Sequence, residues 1–155
     1  MKLRKILVLA LALAVPQLSQ AAGLVNDMQS CQGLIDFIDT KLDSAPSHYS
    51  EEKVAKVREG LAGYSQYIQR EIVTPGLLQA TGGDQAKADA FQEQVNAYRS
   101  KLSKGYQARF PQERLFMDHA IAVNNCAKMA VPSGQELEAL KDALNTMMEL
   151  ARLDS

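Results

Sequence analysis

The sequence predicts an all-α fold, an antiparallel bundle of four to five amphipathic helices closed by one disulfide. Three observations carry that expectation. Apolar residues recur at alternating spacings of three and four, the period of a single helical face. Clusters of proline, glycine and serine separate the segments so marked, and none shows the sustained period-two alternation of a strand. The only two cysteines, Cys31 and Cys126, form an even pair 95 positions apart.

The chain opens on Met1-Lys2-Leu3-Arg4-Lys5, followed by an unbroken apolar run over residues 6–15 and then Pro16. Ser19 and Ala21 place small residues three and one positions before a cut between Ala21 and Ala22. A basic start, a short apolar run and small residues at the cut describe a secretory signal peptide, residues 1–21. A membrane anchor needs about twenty apolar residues, and this run is too short. No cysteine directly follows the run, which argues against a lipid-anchored lipoprotein. The expected mature chain, residues 22–155, is one domain with no transmembrane segment. Its expected address is the periplasm. Loss of Lys2, Arg4 and Lys5 with the leader moves the formal net charge from −1 to −4. That acidic balance argues against nucleic acid as a partner, because such binding needs a basic surface to displace counterions.

In an oxidising compartment Cys31 and Cys126 read as a structural disulfide. In the chain-entropy model a loop of this length contributes about 4–5 kcal/mol. A redox pair would sit as C-x-x-C, and a zinc site would need further Cys or His nearby. Neither pattern is present.

The first helix is expected from about Leu24 to Asp43, on the stripe Leu24, Met28, Cys31, Ile35, Ile38 and Leu42. Ser44-Ala45-Pro46-Ser47 ends it. The second starts near Ser50, an N-cap with Glu51 and Glu52 in the first turn. Its stripe is Val54, Val57, Leu61, Tyr64 and Ile68, and Thr74-Pro75-Gly76 is expected to stop it. Leu77 and Leu78 then read as a short turn before Gly82-Gly83, making the 74–83 connection the most irregular segment and a possible binding loop. Asp84 caps a third helix with the stripe Ala88, Phe91, Val95, Tyr98, Leu102 and Tyr106. Pro111 suits the first turn of a fourth helix, which carries Leu115, His119, Ala122, Cys126 and Met129. Ser133-Gly134-Gln135-Glu136 is a capping-box pattern for a fifth, striped by Leu137, Leu140, Leu144, Met147 and Ala151. Alternating helix directions bring Cys31 and Cys126 to the same end of the bundle.

Candidate chemistry is sparse. His119 shares a stripe with Leu115 and Cys126, so it reads as a packed histidine. Asp118 projects about 100° away from it along the helix. Covalent haem needs C-x-x-C-H, and a b-type bundle would use a histidine on the last helix; both are absent. We therefore expect no cofactor, no metal ligands, no catalytic residues and no enzymatic activity. Between residues 99 and 114 five bases, Arg99, Lys101, Lys104, Arg109 and Arg114, face one acid, Glu113, with Tyr98, Tyr106 and Phe110 interleaved. That corner is a candidate interaction surface, meeting an acidic partner or anionic headgroups. The reading its stripe favours is that Tyr98 and Tyr106 are core and the bases solvate an outer face or complement the helix dipole. The function expected is a periplasmic protein-interaction module, such as an inhibitor, immunity-type protein, chaperone or assembly accessory, with an envelope protein as partner. The alternative is a carrier of small apolar ligands or lipids in a cavity between helices.

Overall fold

A computed structural model describes residues 17–153, with side chains from residue 23 onward. The basic start and apolar run of the expected leader lie outside the described residues. Every regular element of the described chain is a helix, and no strand is present among the described residues. Its elements are α1 (Gln17–Asp43), α2 (Glu51–Ile68), a π-helical turn (Gln69–Val73), α3 (Thr74–Ala80), α4 (Gln85–Arg109), α5 (Met117–Met129) and α6 (Gly134–Leu153). Among the described residues no helix is long and apolar enough to cross a membrane.

The middle of α1 is buried on almost every side. Met28, Gln29, Cys31, Gln32, Leu34, Ile35, Phe37, Ile38, Lys41 and Leu42 are all inaccessible, so α1 is the central helix. It packs against α2, the π turn, α3, α4 and α5, while α6 packs against α2 and α5. Directions alternate along the chain. Arg58 on α2 binds Asp39 and Asp43 near the end of α1, and Gly76 on α3 lies against Val25 near its start. Arg99 on α4 binds Asp36, and Lys53 and Arg70 on the α2 side bind Glu149 and Glu136 on α6. Hence α1, α4 and α6 run one way and α2–α3 and α5 the other.

Two helix pairs approach closely where glycine stands. A Cβ on Gly60 would lie 2.5 Å from the Ala139 carbonyl oxygen and 2.6 Å from the Ala143 Cβ, at the α2–α6 crossing. A Cβ on Gly76 would lie 2.3 Å from a Val25 methyl. The largest fully buried side chains, among them Tyr64, Phe37, Met28 and Ile38, fill the space between these crossings.

The disulfide is formed, with an S–S distance of 2.05 Å and a Cα–Cα distance of 5.9 Å. Its place differs in one respect from the expectation. Cys126 lies in the last turn of α5, but Cys31 falls in the middle of α1, because α1 begins at Gln17 and not near Leu24. The helix runs unbroken through the expected cut between Ala21 and Ala22. Since α5 is only 13 residues long, the bond ties its end to mid-height on α1, not to an end of the bundle.

Other elements also depart from the expected boundaries. Thr74-Pro75-Gly76 does not stop the second helix. The chain widens into the π turn just before Pro75, which then occupies the first turn of α3, where its missing N–H leaves no broken bond. Leu77 is buried, and the irregular stretch shrinks to a turn at 81–84, with Gly82 and Gly83 at φ +65° and +86°. Pro111 does not begin the fourth helix; residues 110–116 are non-helical and α5 starts at Met117. At the start of α6, Gly134 adopts φ +57°, and Glu136, instead of closing a capping box, reaches Arg70 at 3.1 Å.

The stripe of α4 is rotated from its expected place. Ala88, Val95 and Ser103 are buried, whereas Phe91 and Tyr98 are 44 % and 39 % exposed. Arg99 takes the inward shoulder, and its ion pair with Asp36 orients the helix.

Candidate functional site

The five bases of the 99–114 corner do not converge. At 100° per residue, Lys101, Lys104 and Arg109 stand about 200°, 140° and 280° around α4 from Arg99. Arg99 is turned towards α1, donating three hydrogen bonds of 2.8–3.2 Å to the Asp36 carboxylate. Lys101 and Lys104 are exposed, Lys104 lining a groove with Arg99. Arg109 is exposed in the last turn of α4, where a cation complements the helix dipole. Arg114 lies beyond the helix with its guanidinium 4.4 Å from the centre of the Phe116 ring. Three acids of α1 are also engaged: Asp36 with Arg99, Asp39 and Asp43 with Arg58. Much of the charge asymmetry seen in the sequence therefore joins helices.

His119 is packed, as its stripe implies, and only 2 % exposed. The rings of Phe37, Phe110 and Phe116 surround it edge-to-face at 5.2, 5.1 and 5.4 Å. Its Nδ1 accepts the Phe116 backbone N–H at 3.3 Å, which assigns the imidazole proton to Nε2. Nε2 is buried and has no hydrogen-bond partner. Burial, then the neighbouring Lys41 cation, lowers the pKa of His119 to about 4, against a smaller opposing pull from Asp118. The histidine is neutral at pH 7.

Lys41 of α1 is a buried cation that the sequence reading did not single out. Its ammonium donates to the Phe110 carbonyl at 2.7 Å and to the Gln112 carbonyl, and sits 5.1 Å from the Phe37 ring centre. Burial lowers its pKa, partly offset by Glu113. Its signal in the sequence is a position four after Phe37 and three after Ile38, within reach of the buried stripe.

A chain of amides crosses the α1–α4 seam and was also missed. Gln32, 1 % exposed, donates through Nε2 to the Ser65 carbonyl at 3.1 Å and to Gln69 Oε1 at 3.3 Å. Gln69, in the π turn, donates to Thr74 Oγ1 at 3.0 Å and to Gln92 Oε1 at 2.8 Å. Gln92 donates to Asn96 Oδ1 at 3.0 Å. The Ser65 carbonyl can only accept, so it fixes the orientation of Gln32 and, through each successive pair, of the whole chain. Gln32 Oε1 is left buried without a partner. Two open grooves of about 430 and 330 Å³ flank the chain and share Asn96. Most of the residues that line them, including Asp36, Arg99, Gln69, Thr74 and Asp89, are polar.

Among the described residues no group of three or more His, Cys, Asp or Glu side chains is placed to hold a metal ion. The 74–83 connection, largely helical, presents a short turn held by the Thr81 hydroxyl, which lies 3.0–3.1 Å from the Leu77, Leu78 and Asp84 carbonyls. No protein-family model, curated protein or solved structure matches the chain.

Proposed function

We propose that the chain is an exported, periplasmic protein-interaction module without catalysis of its own, and that it meets an acidic protein surface through the outer flank of α4. The observation that carries this reading is the exposure of two aromatic residues one heptad apart, Phe91 and Tyr98. Single exposed apolar residues are ordinary on any protein, but two aromatics sharing a helix flank are the enriched feature of protein interfaces.

The surroundings give the partner its chemistry. Lys87, Phe91, Gln94, Tyr98 and Lys101 fall within an arc of about 80°. The acids of the helix, Asp89 and Glu93, stand roughly 160–200° around from Phe91. The flank is thus aromatic and basic, although the molecule as a whole is acidic. An acidic partner is steered to it, and the aromatics supply the contact area once the charges have aligned. The leader pattern and the cystine support the compartment, since disulfides persist in oxidising spaces.

A photo-reactive amino acid in place of Gln94 tests the surface in intact cells. A discrete adduct with one envelope protein is expected, lost in a Phe91→Ser/Tyr98→Ser variant and weakened by salt. An adduct that survives those substitutions, or one formed only with anionic lipid vesicles, would overturn the reading. Mass spectrometry of the exported chain tests the address, with an N-terminus at Ala22 as the expected result.

A further inference from the structure

Residues 110–116 join α4 to α5 without helical structure, and three side chains from elsewhere hold them down. Lys41 of α1 binds the carbonyls of Phe110 and Gln112. The Tyr49 hydroxyl accepts the Leu115 N–H at 3.1 Å. His119 of α5 accepts the Phe116 N–H through Nδ1. Beneath the segment lies an aromatic cluster. Phe37 contacts Tyr106 and Phe110 at ring distances of 5.4 and 6.1 Å, and Phe110 contacts Phe116 at 6.0 Å. His119 stands at the centre of these rings.

We propose that residues 110–116 form an acid-released strap: protonation of His119 detaches them and uncovers Phe37, Phe110 and Phe116, while the disulfide-closed helices stay folded. A proton can add to the imidazole only at Nδ1, the atom that now accepts the Phe116 N–H. Two donors then confront each other, and the latch bond is lost. The new charge sits in an aromatic cage that offers Nε2 no hydrogen-bond acceptor. Of the charged groups around it, the Lys41 cation outweighs the Asp118 carboxylate. Lys41, from α1, repels the imidazolium. Glu113 in the strap and Asp118 on α5 are the nearby acids, and the pull of Asp118 on the imidazole is smaller than the opposing effect of Lys41. Arg114 in the strap and Tyr106 on α4 are the other titratable side chains beside the cluster. Cys31–Cys126 lies outside the strap and keeps α5 attached to α1 once the strap has lifted. The inference does not depend on what the α4 flank binds.

The test uses the purified oxidised protein, an apolar-surface dye, far-UV circular dichroism and hydrogen exchange. As pH falls through about 4, the value to which burial lowers His119, dye binding should rise while helicity holds. Amides of 110–116 should exchange at least about tenfold faster than intrinsic rates account for. His119→Asn retains an acceptor near the Nδ1 position and cannot titrate; its dye transition should vanish or move to lower pH by about one unit or more. A transition at the same pH in His119→Asn overturns the proposal, as does loss of helicity in step with dye binding. Should that variant fail to fold, the His119 imidazole is followed by NMR in the wild type, with the ordinary histidine value of about 6.5 as the reference. Titration near that value overturns the strap; titration well below it, together with a shift of the Phe116 amide, supports it.

Discussion

The hydroxyl of Tyr49 accepts the backbone N–H of Leu115 at 3.1 Å, joining the α1–α2 loop to the α4–α5 connection across 66 positions. Both residues are buried, Tyr49 at 6 % and Leu115 at 1 % exposure. Tyr49→Phe keeps the ring and strands the N–H away from water. A buried donor left without its partner costs about 1–3 kcal/mol, so the variant should unfold at lower denaturant with an unchanged m value. An unaltered midpoint would show that the bond contributes nothing.

Gly60 and Gly63 sit one turn apart on α2 and should respond oppositely to alanine. At Gly60 the added methyl meets the Ala139 carbonyl at 2.5 Å, and backbone must move. Overpacking of that kind costs about 1–3 kcal/mol. At Gly63 nothing lies within 4 Å, and alanine should stabilise the helix by about 0.5–1 kcal/mol. Paired thermal melts of the two variants decide it.

Acid sensitivity follows from His119 with a definite sign. Its pKa is about 4 when folded and about 6.5 when unfolded, so the unfolded chain binds the proton more tightly. The stability it supports is complete above about pH 6.5 and is lost as pH falls towards 4, by about 3 kcal/mol in all. His119→Asn should flatten that part of the stability–pH curve. Equal slopes in the two proteins would assign the loss to carboxylates.

Phe91→Ser and Tyr98→Ser should each change stability by less than about 1 kcal/mol, since both side chains are already substantially exposed. Val95→Ser, on the buried face between them, should cost about 2–3 kcal/mol. Chemical denaturation of the three variants separates the outer flank from the core.

Removal of the disulfide by Cys31→Ser should lower stability by a few kcal/mol while far-UV helicity is kept, because the bond closes a loop of 95 positions. Equal melting temperatures for wild type and variant under oxidising conditions would contradict the assigned role.

The period of apolar residues made the helices legible. The single faces of α2 and α6 read correctly, from Val57, Leu61, Tyr64 and Ile68 to Leu140, Met147 and Ala151. The pairing of Cys31 with Cys126 was legible because no other cysteine exists. What periodicity could not reveal was competition between faces. On α4 the Phe91–Tyr98 line and the Ala88–Val95 line both obey the spacing, and the bulkier one was expected inside. Burial went to the line holding small Ala88 and the shoulder of Arg99, because α1 approaches closely and Asp36 supplies a partner. Gln32 and Lys41 escaped notice for the same reason: their buried partners are carbonyls and amides on other segments, which a one-dimensional pattern does not contain. The start of α5 was misplaced because Pro111 suits a first turn, while the Phe116–His119 bond that fixes the start is a matter of geometry.

The cystine also decides how the molecule carries a mechanical load. Tension applied between its two ends enters at α1, crosses the sulfur bridge at mid-height and leaves through the tail of α5 into α6. Residues 32–125, with α2, α3 and α4, hang from that path as a loop that bears none of it. Stretching therefore peels α6 from α2 and unravels the first half of α1, while the aromatic cluster and the amide chain remain slack and intact.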